Sequence, residues 1–126
     1  MKDVNIITLT GETLTRIEQK EGEVIEFETQ SGRKFQMYHD QDCCESVRVH
    51  DVTGSLQDLI GSKILLVKED ISTDWPSDVE KPKYENESFA WTTFEFRTAS
   101  SVVVIRWHGE SNGYYSESVS FGEIDK

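Results

Sequence analysis

Between Glu23 and His39 apolar residues return at every second position, twice over, with a turn between the two runs. Glu23-Val24-Ile25-Glu26-Phe27-Glu28-Thr29 puts Ile25 and Phe27 on one face and Glu26 and Glu28 on the other, the period of a half-buried strand. Gln30-Ser31-Gly32-Arg33 reads as a turn, because Ser-Gly supplies the positive φ of a tight hairpin. Lys34-Phe35-Gln36-Met37-Tyr38-His39 then alternates again, with Phe35, Met37 and His39 inward. Wound into a helix, the same residues would scatter their apolar side chains around the axis. This stretch therefore commits the chain to an antiparallel sheet.

The rest of the chain extends the pattern. Leu14 and Ile17, before Glu21-Gly22, suggest a preceding strand and a three-stranded meander, while Val4 to Leu9 fits an edge strand or a loose N-terminal segment. Glu45 to Val52 reads as another strand. Ser55-Leu56-Gln57-Asp58-Leu59-Ile60-Gly61 carries the one helix signal, with Ser55 to cap it, Asp58 three residues on and Gly61 to close it. Ile64 to Val67 is wholly apolar and reads as a central strand. Residues 70–87 are polar and contain proline, as expected of a long mobile loop. Three strands close the sequence: Phe89 to Thr98, Val102 to Trp107 and Tyr115 to Phe121, the last two joined by a type I′ turn at Asn112-Gly113. The expected fold is α+β and mostly β: an antiparallel twisted sheet or partly open barrel of about six to eight strands with one short helix near 55–60. At 126 residues it forms a single domain over 1–126.

Charge narrows the functions. Against 24 Asp and Glu stand 13 Lys and Arg, a formal net charge of −11. Such a surface repels nucleic-acid backbones and anionic membranes, so direct nucleic-acid or membrane binding is not expected. It suits a basic protein partner, or it serves solubility alone. No apolar run reaches the ~18–20 residues of a membrane span, and Met1-Lys2-Asp3-Val4-Asn5 lacks a signal-peptide core. A cytoplasmic setting is expected. The two cysteines are neighbours, Cys43-Cys44, for which reduced thiols are the default.

Two constellations could carry chemistry. Tyr38-His39-Asp40-Gln41-Asp42-Cys43-Cys44-Glu45 gathers imidazole, carboxylates and thiols, the groups of metal sites and of nucleophile–base pairs. A bland reading fits as well: His39 bonds backbone at the turn and the cysteines pack as small hydrophobes. Zinc spacing is lacking, so a metal set of His39, Cys43 and Glu45 is a minor alternative and no cofactor is expected. The second constellation is Arg106-Trp107-His108-Gly109-Glu110-Ser111-Asn112-Gly113-Tyr114-Tyr115-Ser116-Glu117. Cross-strand aromatics in a hairpin explain Trp107 and Tyr115. The polar remainder resembles a recognition surface. The candidate ligand- or partner-binding residues are His39, Asp42, Cys43, Cys44, Glu45, Arg106, Asn112, Tyr114, Tyr115 and Glu117; no catalytic residue is assigned. Phosphate-binding glycine loops, His-Glu-x-x-His and nucleophile elbows are missing.

The string Met37 to Val47, followed by Gly54 to Gly61, together with Arg106 to Val119, resembles a family of small proteins encoded by bacteriophages and bacteria and known only as a domain of unknown function. The resemblance spans roughly residues 10 to 121. It implies phage-related origin and action inside a bacterial host cell, and brings no activity or catalytic residues. Three functions follow as expectations. The first is an accessory protein that counters host defence by binding a protein or by sequestering a signal nucleotide, with Arg33, Arg48, Arg97 and Arg106 as candidate cations. The second is a structural or interaction subunit, for which self-association and an apolar patch around Trp75, Phe89 and Trp91 would be the marks. The third is a small metal- or Cys-dependent enzyme built on residues 39–45.

Overall fold

The computed structural model describes residues 1–81 and 88–124. Its strands are Lys2–Asp3 (β1), Leu14–Lys20 (β2), Val24–Thr29 (β3), Lys34–Tyr38 (β4), Ser46–Thr53 (β5), Leu66–Ser72 (β6), Ser88–Arg97 (β7), Val102–Ser111 (β8) and Ser120–Ile124 (β9). All pair antiparallel, in a five-stranded sheet of order β1-β9-β4-β3-β2 and a four-stranded sheet of order β5-β8-β7-β6. The protein is mostly β, as the alternation requires. The strands divide between two open sheets, and neither closes into a barrel.

The meander forms as its pattern dictates. Ile25 pairs with Met37 and Phe27 with Phe35 across β3 and β4, and all four are fully buried. Against them the second sheet turns Val67, Phe94, Phe96, Val103, Ile105 and Trp107. Phe27 meets Phe96 at a ring-centroid distance of 6.1 Å, and Trp107 Nε1 donates to Met37 Sδ at 3.1 Å. Fully burying one such side chain contributes about 1.5–3 kcal/mol, so this shared layer holds the sheets together.

Several local expectations change. Ile6–Leu9 is a 3₁₀ turn with Asn5 accepting from the Ile7 N–H, rather than an edge strand. The expected helix at 55–60 shrinks to one 3₁₀ turn, Leu56–Leu59, bracketed by Gly54 and Gly61, both at φ +84°. Ile64 to Val67 is not a central strand. Ile64 is tied to the N-terminal segment through Gly11 N–H and Glu12 C=O, and β6 begins only at Leu66, on the sheet edge. Of the loop read over 70–87, Asp70 to Ser72 continue β6 and Trp75 is held by its Nε1 donating to the Val79 carbonyl; residues 82–87 lie outside the described residues. The Asn112-Gly113 turn exists, with Gly113 at φ +88°, but no hairpin follows it. The chain crosses back over β8, and β9 pairs with β1 and β4. Gly109 permits this crossing: a Cβ there would sit 2.8 Å from the Glu117 carbonyl oxygen.

Candidate functional site

His39 follows β4 directly and keeps that strand's inward phase. Its side chain is 5 % exposed and that of Glu45 0 %. His39 Nε2 lies 2.8 Å from Glu45 Oε2, and Nδ1 lies 2.7 Å from the Ser118 carbonyl oxygen. Both ring nitrogens thus face acceptors, and no imidazole lone pair is turned toward the surface. The Glu45 carboxylate also accepts the N–H of Asp42 at 3.0 Å and of Cys43 at 2.9 Å, and the Gln41 side-chain amide at 3.2 Å. Residues 41–45 are a loop folded around its own carboxylate. Burial opposes the charge on Glu45, but His39 and the backbone N–H groups outweigh it and hold the carboxyl down at about 2.

This arrangement fixes shape and leaves no base to act on a substrate, since a general base must offer a free lone pair. The cysteines are exposed and joined to each other in a bridge between neighbours, so the expected reduced thiols are corrected and a Cys–His pair is not assembled. Among the described residues no three His, Cys, Asp or Glu side chains converge as a metal-binding group.

Two clefts open beside this knot. One of about 320 Å³ is lined by His39, Gln41, Glu45 and Arg48 among others; the next, of about 270 Å³, by Ser46, Arg48, Val49, His50 and His108. Ser46 and Arg48 line both, which joins the two along β5. The β2–β3 turn, with Glu21 at φ +53° and Gly22 at φ +72°, docks here through Gly22 C=O, which accepts the Val49 N–H at 2.7 Å. Arg48 lies across that turn, its Nη2 donating to the Glu21 carbonyl at 3.3 Å. Arg16, Arg33, Arg97 and Arg106 all form ion pairs with carboxylates. Among the described residues, Arg48 is the one arginine of the five that does not.

The outer face of the four-stranded sheet continues the cleft. Arg48 pairs in register with His108, His108 with Trp91, and Trp91 with Ser72. A bulge between Val49 and Asp51 lets His50 turn to this face as well, where its ring meets Trp91 at 5.0 Å. His108 lies 4.4 Å from Trp91, and Trp75 meets Phe89, Trp91 and His108 edge-on at 5.2, 5.2 and 5.4 Å. Arg106 lies over the Trp91 ring and is pinned by Asp51 and Asp78. Its guanidinium holds the Asp78 carboxyl below the usual range; on Asp51 burial pushes the other way and Arg106 and His50 outweigh it. Burial pushes the His108 imidazole down, toward the neutral form. Trp91 is 2 % exposed yet lies outside the inter-sheet core. Trp91 Nε1, Arg106 Nε and His108 Nε2 are buried with no hydrogen-bond partner among the described residues. Each such orphan costs about 1–3 kcal/mol.

The sequence-derived residues therefore separate. His39, Asp42, Cys43 and Glu45 meet in the knot, which touches the second motif through Ser118 and the Ser46–Glu110 pairing. Glu117 accepts from Ser88 Oγ at 3.0 Å and Ser111 Oγ at 2.8 Å, tying the crossing segment to β8. Arg106 belongs to the outer face. Asn112 accepts the Tyr114 N–H within its own turn, Tyr114 is 84 % exposed and stands 5.2 Å from Tyr115; none of these three lines either cleft. Cys44 is exposed. Sequence reasoning missed His50 and did not single out His108 within the second constellation; the apolar patch that the assembly alternative called for around Trp75, Phe89 and Trp91 is a set of rings packed on one another. Strand register and the bulge in β5 bring these together.

Fold and site define a two-sheet antiparallel β protein with a polar cleft along one strand and no assembled catalytic group among the described residues. The sequence profile described as Domain of unknown function (DUF7448) matches residues 7–121, and the chain belongs to that family. No curated protein and no solved structure matches it. Among the described residues no helix is long and apolar enough to cross a membrane.

Proposed function

We propose that this chain is a binding protein that takes the anionic end of a small molecule in the cleft around Arg48, and that it acts as a phage-related accessory protein sequestering a signal molecule of host defence in the bacterial cytoplasm. The observation that carries the binding reading is Arg48. In a chain of net charge −11, it is the described arginine without an ion-paired carboxylate, and it lines both clefts. Four arginines engaged by acids are structural; one held by a backbone carbonyl keeps its charge for a ligand. Ser46, His50 and Gln41 supply further polar groups. The His39–Glu45 knot forms a fixed wall, which favours recognition over turnover.

The test is calorimetric titration of the full chain with inorganic pyrophosphate and with nucleoside mono- and diphosphates. Saturable binding that weakens about ten- to a hundredfold in Arg48→Ala supports the reading. Absence of binding by every probe, or equal binding by the variant, contradicts it. The biological role is tested separately, by whether expression restores phage plating on defended bacteria.

An assembly role has one observation in its favour, the free edge of β6. Among the described residues it pairs only with β7, and it exposes Leu66 at 38 % and Ile71 at 61 %, a template for strand pairing that Lys68, Glu69 and Asp70 discourage. Sedimentation of the purified chain at rising concentration tests it, with a dimer expected if the edge is used and a monomer throughout if it is not.

A further inference from the structure

We infer that the ligand carries a planar heteroaromatic ring, as a nucleotide does, and that this ring is received on the outer face of β7 and β8 against Trp91 and His108, in the place Trp75 now occupies. The inference deepens the reading of the Arg48 cleft, on which it rests for the anionic end alone. Its own support is the set of three buried polar atoms, Trp91 Nε1, Arg106 Nε and His108 Nε2, without partners among the described residues. All three belong to side chains stacked about the Trp91 ring, His108 at 4.4 Å and the Arg106 guanidinium carbon at 5.3 Å. Two are fixed donors, and the third donates or accepts according to tautomer. A heteroaromatic edge with ring nitrogens or carbonyl oxygens satisfies such a set, and its body packs edge-to-face among these rings as Trp75 does. An aliphatic or peptide ligand satisfies neither need as fully.

The spacing suits both ends. Arg48, His108 and Trp91 stand side by side on successive strands, so Arg48 and Trp91 are about 10 Å apart by backbone at the usual inter-strand distance. That is a span an extended nucleotide bridges from phosphate to base. Trp75 behaves as a resident plug. It lies edge-on to Trp91, His108 and Phe89, its segment reaches over the sheet beyond the end of β6, and Asp78 on that segment clasps Arg106. Trp75 directs its own N–H to Val79, so it covers the three orphaned atoms without satisfying them. A ring that displaces it gains hydrogen bonds the plug does not make. A plug that must leave lowers apparent affinity by the fraction of molecules in which it is open.

The experiment is titration of the full chain with adenosine 5′-monophosphate, adenosine and pyrophosphate, followed by calorimetry and tryptophan fluorescence. Variants are Trp75→Ala, Asp78→Asn and Trp91→Phe, each checked for folding by circular dichroism. The inference expects saturable binding of nucleotide and, more weakly, nucleoside, with a change in tryptophan emission. Trp75→Ala tightens both by at least about threefold, and Asp78→Asn, which only loosens the strap, acts in the same direction. Trp91→Phe keeps a ring but loses the N–H and weakens both about fivefold. Arg48→Ala weakens the nucleotide alone. If pyrophosphate binds while adenosine binds neither the wild type nor folded Trp75→Ala, the ring site is wrong and the anion cleft stands. If adenosine binds and pyrophosphate does not, the anion reading fails and the ring site stands. Unchanged or weaker binding in both strap variants overturns the plug.

Discussion

The knot at His39–Glu45 and the face around Trp91 use the same kinds of residue to opposite effect. In the knot, a buried carboxylate receives an imidazole, two backbone N–H groups and a side-chain amide. Around Trp91, five aromatic rings and an arginine pack together yet leave three buried polar atoms unmatched among the described residues. The contrast separates architecture from recognition. A region with every donor matched is finished within the chain, whereas a region with unmatched donors is complete only with something else. On the proposed reading, the motif densest in reactive side chains is the scaffold and the quieter outer face is where the ligand binds.

That comparison can be broken by substitution. The largest loss of stability is expected from Glu45→Leu, which leaves His39 and two backbone N–H groups facing an apolar side chain; chemical denaturation would place its midpoint below every other variant here. Gly109→Ala comes next, at about 1–3 kcal/mol, because the new methyl meets the Glu117 carbonyl at a position where backbone must shift. Trp91→Phe should change stability by less than about 1 kcal/mol, since it removes an orphaned N–H along with some packing. A loss as large as that of Glu45→Leu would show the outer face to be as finished as the knot. Arg48→Ala is expected to be smallest, within about 0.5 kcal/mol, while acting strongly on binding.

Acid separates the two regions in a second way. The His108 imidazole is depressed below its ordinary 6.5 by burial, with His50 adding to this and Glu110 and Glu117 opposing it. What it contributes is present above pH 6.5 and is lost as pH falls and the ring takes a proton. The Glu45 carboxyl is depressed from 4.5 to about 2, so its contribution is intact above pH 4.5 and is lost between there and about pH 2. Tryptophan emission should therefore change before the far-ultraviolet signal does. A single concerted transition near pH 4 would contradict the separation.

Much of the sheet was legible in the sequence because alternation is local: β3, β4, β7 and β8 lie where the pattern puts them, and His39 points inward as its phase requires. Pairing partners are another matter. Asn112-Gly113 carries a hairpin signal, yet β9 joins β4 because Gly109 admits the crossing backbone and Met37 and Phe35 offer Phe121 a buried place beside them. Leu65 and Leu66 look central by composition but stand 54 % and 38 % exposed, the one just before the edge strand β6 and the other at its start. The site was half legible. His39 and Glu45 were found through their chemistry, although chemistry alone could not show that each satisfies the other. His50, His108 and Trp91 become one surface only through register and a bulge, which no local pattern encodes.

The most direct test of the account is calorimetric titration of adenosine 5′-monophosphate into the wild-type chain and into folded Arg48→Ala. The account predicts saturable binding by the wild type, weakened about ten- to a hundredfold in the variant with no loss of stability. Equal affinity in the two proteins, or no binding by the wild type to this or any other phosphate-bearing probe, would contradict it.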